Sequence, residues 1–167
     1  MAKTKPKALA RPVRRPASTK RRAAPKARAA KARSKPRAKA RPKQSFAVSH
    51  HRDEDFDQGL RRYAHYRDLG LAKATQGMVQ AHVIRFVPPC RPEEVSKLHY
   101  HDVEFQMVYV LQGWIKTELT GQGAHTMKAG SCWIQPPRIE HKVLDYSDDC
   151  EVLEIVLPAD FKTVELE

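Results

Sequence analysis

From residue 80 onward the chain alternates apolar and polar positions in short runs, each closed by turn residues. Gln80–Val87 (QAHVIRFV) reads as a strand and stops at Pro88-Pro89, because proline has no N–H to give to a ladder. Val103–Leu111 is rich in β-branched and aromatic residues, and Gly113–Leu119 follows it. Thr120-Gly121-Gln122-Gly123 supplies the turn chemistry of a hairpin, from which His125–Lys128 returns. Ser131–Gln135, Lys142–Tyr146 and Glu151–Leu157 (EVLEIVL) complete the set. Many short strands spaced near ten residues apart, with little helix, predict an antiparallel sandwich or barrel. Upstream, the strand texture begins at His65. Before it, Asp53-Glu54-Asp55 offers acidic first-turn residues to a short helix, with Phe56, Leu60 and Tyr63 at i, i+4, i+7 on one face.

Period two also sorts side chains by face. Val108 and Val110 share the face of Gln106 and are expected to line the barrel interior. Met107, Tyr109 and Leu111 take the outer face, either as part of a homodimer interface or as core under a covering segment.

The pattern fails over residues 1–44. This stretch holds 18 of the 31 Lys and Arg residues, no acid, six prolines and no aromatic residue, so it accounts for the formal net charge of +12. The other 123 residues carry a formal −6. A like-charged run without apolar periodicity buries too little surface to offset its chain entropy. The expected organisation is a disordered basic tail over 1–44, a hinge and short helix over 45–64, and one domain over 65–167. The tail resembles the Lys/Ala/Pro-rich tails of linker histones and of some bacterial nucleoid proteins. Lys20, Arg21, Arg22, Lys26, Arg28, Lys31 and Arg33 are its candidate contacts to DNA or RNA, held by charge with little sequence preference. Its composition overlaps with organelle transit peptides and nuclear localisation signals, although frequent prolines weaken the first of these.

No apolar run approaches the roughly 18 residues a membrane span needs, and no apolar signal-peptide core follows the basic start. Cys90, Cys132 and Cys150 are too few and too scattered for a zinc knuckle or a disulfide framework. The expected setting is cytoplasmic, with nucleoid association through the tail.

The candidate chemistry lies in His99-Tyr100-His101 and, forty residues on, His141. Two histidines at i, i+2 of a strand point the same way, and a third from a neighbouring strand would complete a facial set of nitrogen donors. Such a set suits one divalent transition metal (Fe, Mn, Zn, Ni or Cu), with positions left open for a small-molecule substrate.

These residues closely resemble the two motifs of the cupin superfamily, over roughly residues 60–160. His99, His101 and Gly113 fill the first motif, with Gln106 where the family usually has Glu and Glu93 where it has its opening Gly. Gly130, Pro136 and His141 fill the second, with Arg138 in place of the usual Gly and Asp145 in place of the usual Asn. The resemblance implies an all-β double-stranded β-helix, or jelly-roll barrel, holding a metal on His99, His101, Gln106 and His141. Gln106 offers only a neutral carbonyl oxygen or an amide donor, so two readings stay open. Either it ligates weakly or supports a three-histidine centre, or Glu104, earlier on the strand, reaches the ion in its place. His82, Val108, Val110 and Cys132 are the further pocket candidates. The classes of function left standing are a metal-dependent oxygenase or isomerase, a ligand-binding or sensory module without turnover, and a structural cupin without metal.

Overall fold

Two antiparallel sheets face each other in the computed structural model, which describes residues 43–59 and 61–166. The tail residues Lys20, Arg21, Arg22, Lys26, Arg28, Lys31 and Arg33 lie outside the described residues, as does Leu60. Before the sheets a single 3-10 turn spans Asp53–Asp55. The chain then runs β1 (Asp57–Gln58), β2 (Ala64–Asp68), α1 (Leu71–Ala74), β3 (Gln80–Phe86) and α2 (Pro92–Val95). There follow β4 (His99–Asp102), β5 (Phe105–Gln112), β6 (Trp114–Leu119), β7 (Gly123–Lys128) and β8 (Cys132–Ile134), then β9 (His141–Tyr146), β10 (Glu151–Leu157) and β11 (Lys162–Glu165). One sheet has the order β1-β2-β3-β10-β5-β8 and the other β11-β4-β9-β6-β7. Sequence neighbours mostly alternate between sheets from β3 onward, which is a jelly-roll form of the sandwich that the strand pattern predicts and the form that the resemblance to cupins implies.

The core lies between the sheets. Alternation along β10 turns Val152, Glu154 and Val156 inward, and along β5 it turns Gln106, Val108 and Val110 inward. Val110 and Val156 are fully buried, and each such side chain is worth roughly 1.5–3 kcal/mol of transfer free energy. Phe86, Val95, Ile115, Met127, Tyr146 and Cys150 pack into the same cluster.

Gly113 sits between β5 and β6 at φ +66, and a Cβ there would stand 2.1 Å from Ser147 Oγ and 2.6 Å from Asp149 Oδ1. The first motif therefore needs glycine at this point for both conformation and space. At the corresponding turn of the second motif Arg138 adopts φ +61, a left-handed conformation that glycine takes without strain. Its guanidinium lies over the Tyr100 ring, 5.0 Å from the centroid, and donates to the Tyr100 hydroxyl.

Several expectations are corrected in extent. The helix anticipated through Phe56, Leu60 and Tyr63 stops after one 3-10 turn, and Asp57–Gln58 pairs with Tyr66 and His65 of β2 instead. Phe56 is drawn off by the Arg85 guanidinium, 3.9 Å from its ring centroid, and one turn gives too few hydrogen bonds to offset nucleation. The single strand expected over Val103–Leu111 begins at Phe105, because residues 103–104 form a bend between β4 and β5. Strand β11 lies beyond the last strand that the pattern predicts, Glu151–Leu157. Residues 45–52 are exposed but tethered: Ser45 N–H donates to Ala74 O, and the Arg67 guanidinium donates to Ser49 Oγ.

Candidate metal centre

His99 and His101 project from β4 toward the opposite sheet, and His141 at the start of β9 pairs directly with His99. One nitrogen from each ring lies within 4.8 Å of the other two. The ring centroids are 4.4 Å apart for His99 and His141, 5.1 Å for His99 and His101, and 5.2 Å for His101 and His141.

Second contacts fix which nitrogen faces inward. His99 Nδ1 donates to Lys97 O at 2.8 Å, and His141 Nδ1 donates to Ile139 O at 2.9 Å. Both therefore keep the Nε2 lone pair for the cavity. His101 Nδ1 meets Thr163 Oγ1 of β11 at 2.9 Å. A metal-binding imidazole is ordinarily oriented in this way by its second nitrogen. Burial disfavours the imidazolium form, which lowers His99 and takes His101 and His141 down to about 4 from an ordinary 6.5. The three rings are thus neutral donors near pH 7, as a metal requires.

Facing them from the other sheet is a polar chain. Gln135 is held at Oε1 by the Trp133 indole N–H, and its amide nitrogen donates to His141 Nε2 at 2.9 Å and to Gln106 Oε1 at 3.3 Å. Gln106 in turn donates to Glu154 Oε1 at 2.6 Å, while Glu154 Oε2 meets His82 Nε2 at 2.6 Å. Strand pairing dictates the last contact, since Glu154 and His82 are direct cross-strand neighbours of β10 and β3. Burial works to raise the Glu154 carboxyl, but hydrogen bonding and charge from His82, followed by the Gln106 amide, outweigh it and hold it below the ordinary carboxylate value.

These groups surround a cavity of about 390 Å³ between the sheets. Its polar wall includes His99, His101, His141, His82, Glu154, Gln135 and Arg61, and its apolar wall includes Phe86, Val108, Ile115, Val152 and Phe161.

The sequence-derived candidates distribute unevenly around it. His82 and Val108 line the cavity, whereas Val110 is sealed in the core with no exposed surface. Gln106 is 2 % exposed and lies behind the cavity wall, braced by Glu154 and Gln135. Glu104, the alternative ligand, is exposed at the bend between β4 and β5. Cys132 is exposed on β8, while its neighbour Trp133 takes the inward face. Glu154 and Arg61 were missed. Glu154 had a legible signal, a lone acid between Val152 and Val156 on the inward side of an apolar strand; Arg61 had none.

Residues 90–156 match the family described as "Cupin domain". No curated protein sequence matches the chain. Among solved structures, KdgF from Halomonas sp. is 21 % identical with a TM-score of 0.52, over 68 % of this chain and 94 % of that one. The polyketide cyclase RemF from Streptomyces resistomycificus is 16 % identical with a TM-score of 0.56, over 72 % and 86 %. Oxalate decarboxylase from Bacillus subtilis is 15 % identical with a TM-score of 0.56, over 75 % of this chain but 32 % of its own length. At these identities the likeness is one of fold. No helix among the described residues is long and apolar enough to cross a membrane.

Proposed function

We propose, for a chain that carries a cupin domain, a mononuclear-metal enzyme that moves a proton within a small molecule: an isomerase rather than an oxygenase. His99, His101 and His141 would hold the ion, with Gln106 supporting from behind. When bound, the ion would supply Lewis-acid polarisation of a carbonyl or enol oxygen. Glu154 carries the rest of the reading. It is an ionised carboxylate in the cavity wall, opposite the imidazoles, with one oxygen set by His82 and the other by Gln106. Its remaining lone pairs accept a proton from a carbon next to the carbonyl and return it to the adjacent atom, so no oxidant is consumed. The apolar wall keeps water away from that exchange.

Deuterium incorporation from D2O into a panel of small hydroxy- and keto-carbonyl compounds, followed by NMR on Zn²⁺- and Mn²⁺-loaded protein, tests the reading. Glu154→Gln should slow exchange by about 10²–10⁴-fold, the range for a lost acid–base group, while metal stoichiometry stays at that of the wild type. O2 uptake with diketones, thiols or catechols that survives Glu154→Gln would favour the oxygenase. Ligand binding without turnover would favour a sensory module, and neither metal nor ligand would leave a structural cupin.

The basic tail supports a second role, non-specific binding of nucleic acid, through the seven Lys and Arg candidates already named. Tyr109, Leu111 and Ile134 are exposed apolar residues of β5 and β8, and they are the surface on which a homodimer would form.

A further inference from the structure

Arg61 reaches the cavity from the segment between β1 and β2, outside the region that matches the cupin domain. Its side chain is 12 % exposed and pairs with the carboxylate of Glu165 at the end of β11, which is 53 % exposed. The pair is lopsided, with the cation inside the cavity and the anion at the rim in water. A carboxylate so exposed to water holds its partner only weakly. A guanidinium withdrawn from water is better satisfied by two oxygens presented together in its own plane.

The rest of the cavity also calls for an anion. Among its described lining residues Glu154 is the one carboxylate, and His82 and Gln106 already engage it. A divalent ion on three neutral imidazoles would add positive charge that no ligand cancels. Size and walls complete the description. A volume of about 390 Å³ has room for roughly a dozen non-hydrogen atoms, at the ~30 Å³ a water occupies in the liquid. Ile84, Phe86, Val152 and Phe161 provide apolar contact for a body of that size.

We propose that Arg61 is a substrate-binding residue, and that the ligand is a small carboxylate with an apolar body whose carboxylate displaces Glu165 from the guanidinium. This rests on reading the cavity as a small-molecule site, and it holds with or without the metal. Titration calorimetry of the full-length chain with benzoate, and with benzamide as its uncharged counterpart, tests it on both EDTA-treated and Zn²⁺-loaded protein. Benzoate should bind the metal-free chain about ten-fold or more tighter than benzamide, as a charge-assisted hydrogen-bond pair implies. Arg61→Gln should remove that preference and leave benzamide unchanged. Arg61→Lys, which keeps the charge but not the planar fork, should fall between the two. Glu165→Gln should tighten benzoate several-fold, and it decides the matter should Arg61→Gln fail to fold. Equal affinity for the two probes, benzoate binding indifferent to both Arg61→Gln and Glu165→Gln, or no benzoate binding to either form overturns the proposal. A chain that takes no Zn²⁺ yet binds benzoate through Arg61 would sink the metal reading alone.

Discussion

Lowering the pH from 7 to 5 should destabilise the metal-free protein, and the amount follows from two buried histidines. His101 and His141 are held at about 4 in the folded chain by burial, against an ordinary 6.5. Between these values the unfolded chain binds more protons than the folded one, so stability falls as pH falls. The contribution is fully present above 6.5 and is lost progressively toward 4. At pH 5 each ring corresponds to about 2 kcal/mol at most, and solvent screening of partly exposed rings roughly halves this, leaving about 2 kcal/mol for the pair. For a domain of this size that is a fall in Tm of roughly 5–10 °C. His99, lowered for the same reason, adds in the same direction. Glu154, held below the ordinary carboxylate value of 4.5, contributes with the same sign but in a lower window, as pH falls below that value. Circular-dichroism melts of EDTA-treated protein at the two pH values measure the difference, and a variant carrying His101→Asn and His141→Gln provides the control. A wild-type Tm that moves by less than about 1 °C, or an equal fall in the double variant, would refute the assignment of buried neutral imidazoles.

Removing His99 and His141 together as alanines should abolish metal binding while leaving the far-ultraviolet spectrum of the β fold in place; stoichiometric metal by plasma emission in that variant would sink the site. Placing the carboxylate usual in the cupin motif at this position, with Gln106→Glu, should not tighten metal binding by itself, because it sets a second carboxylate against Glu154, where the amide now stands 2.6 Å away. Combined with Glu154→Gln it should bind Zn²⁺ more tightly than the single variant by calorimetry, and equal affinities would show that the two positions do not share one charge. The full-length chain should retard duplex DNA at low salt and a chain beginning at Ser45 should not, with log K falling against log salt at a slope of roughly −5 if about six phosphates are neutralised. Equal affinity of the two, or indifference to salt, would dispose of the tail proposal.

The polar chain facing the histidines would make metal uptake a competition. The Gln135 amide donates to the very lone pair of His141 that an ion would use, and Trp133 fixes the orientation of that amide. A bound ion must displace this hydrogen bond, whose net worth is on the order of 1 kcal/mol. That is small beside the affinity of a three-nitrogen site for a transition metal, so the amide poises the site without blocking it.

What the sequence determined by itself was local. Period-two alternation marked the strands from Gln80 to Leu157, and it placed His99 and His101 on one face because two residues of one strand need no partner to define their direction. The Gly113 turn and the spacing to His141 were equally legible, being conditions on a few adjacent residues. Tertiary structure decided whatever depends on which distant strands lie side by side. Only the pairing of β10 with β3 and β5 sets Glu154 against His82 and Gln106, and only the bend at residues 103–104 turns Glu104 to solvent. Arg61 belongs to a segment without periodicity, and only the placement of β11, far away in the chain, sets Glu165 at the rim beside it. Alternation says which way a side chain points relative to its own backbone. What it then meets is set by sheet order, a non-local outcome of burying two apolar faces against each other.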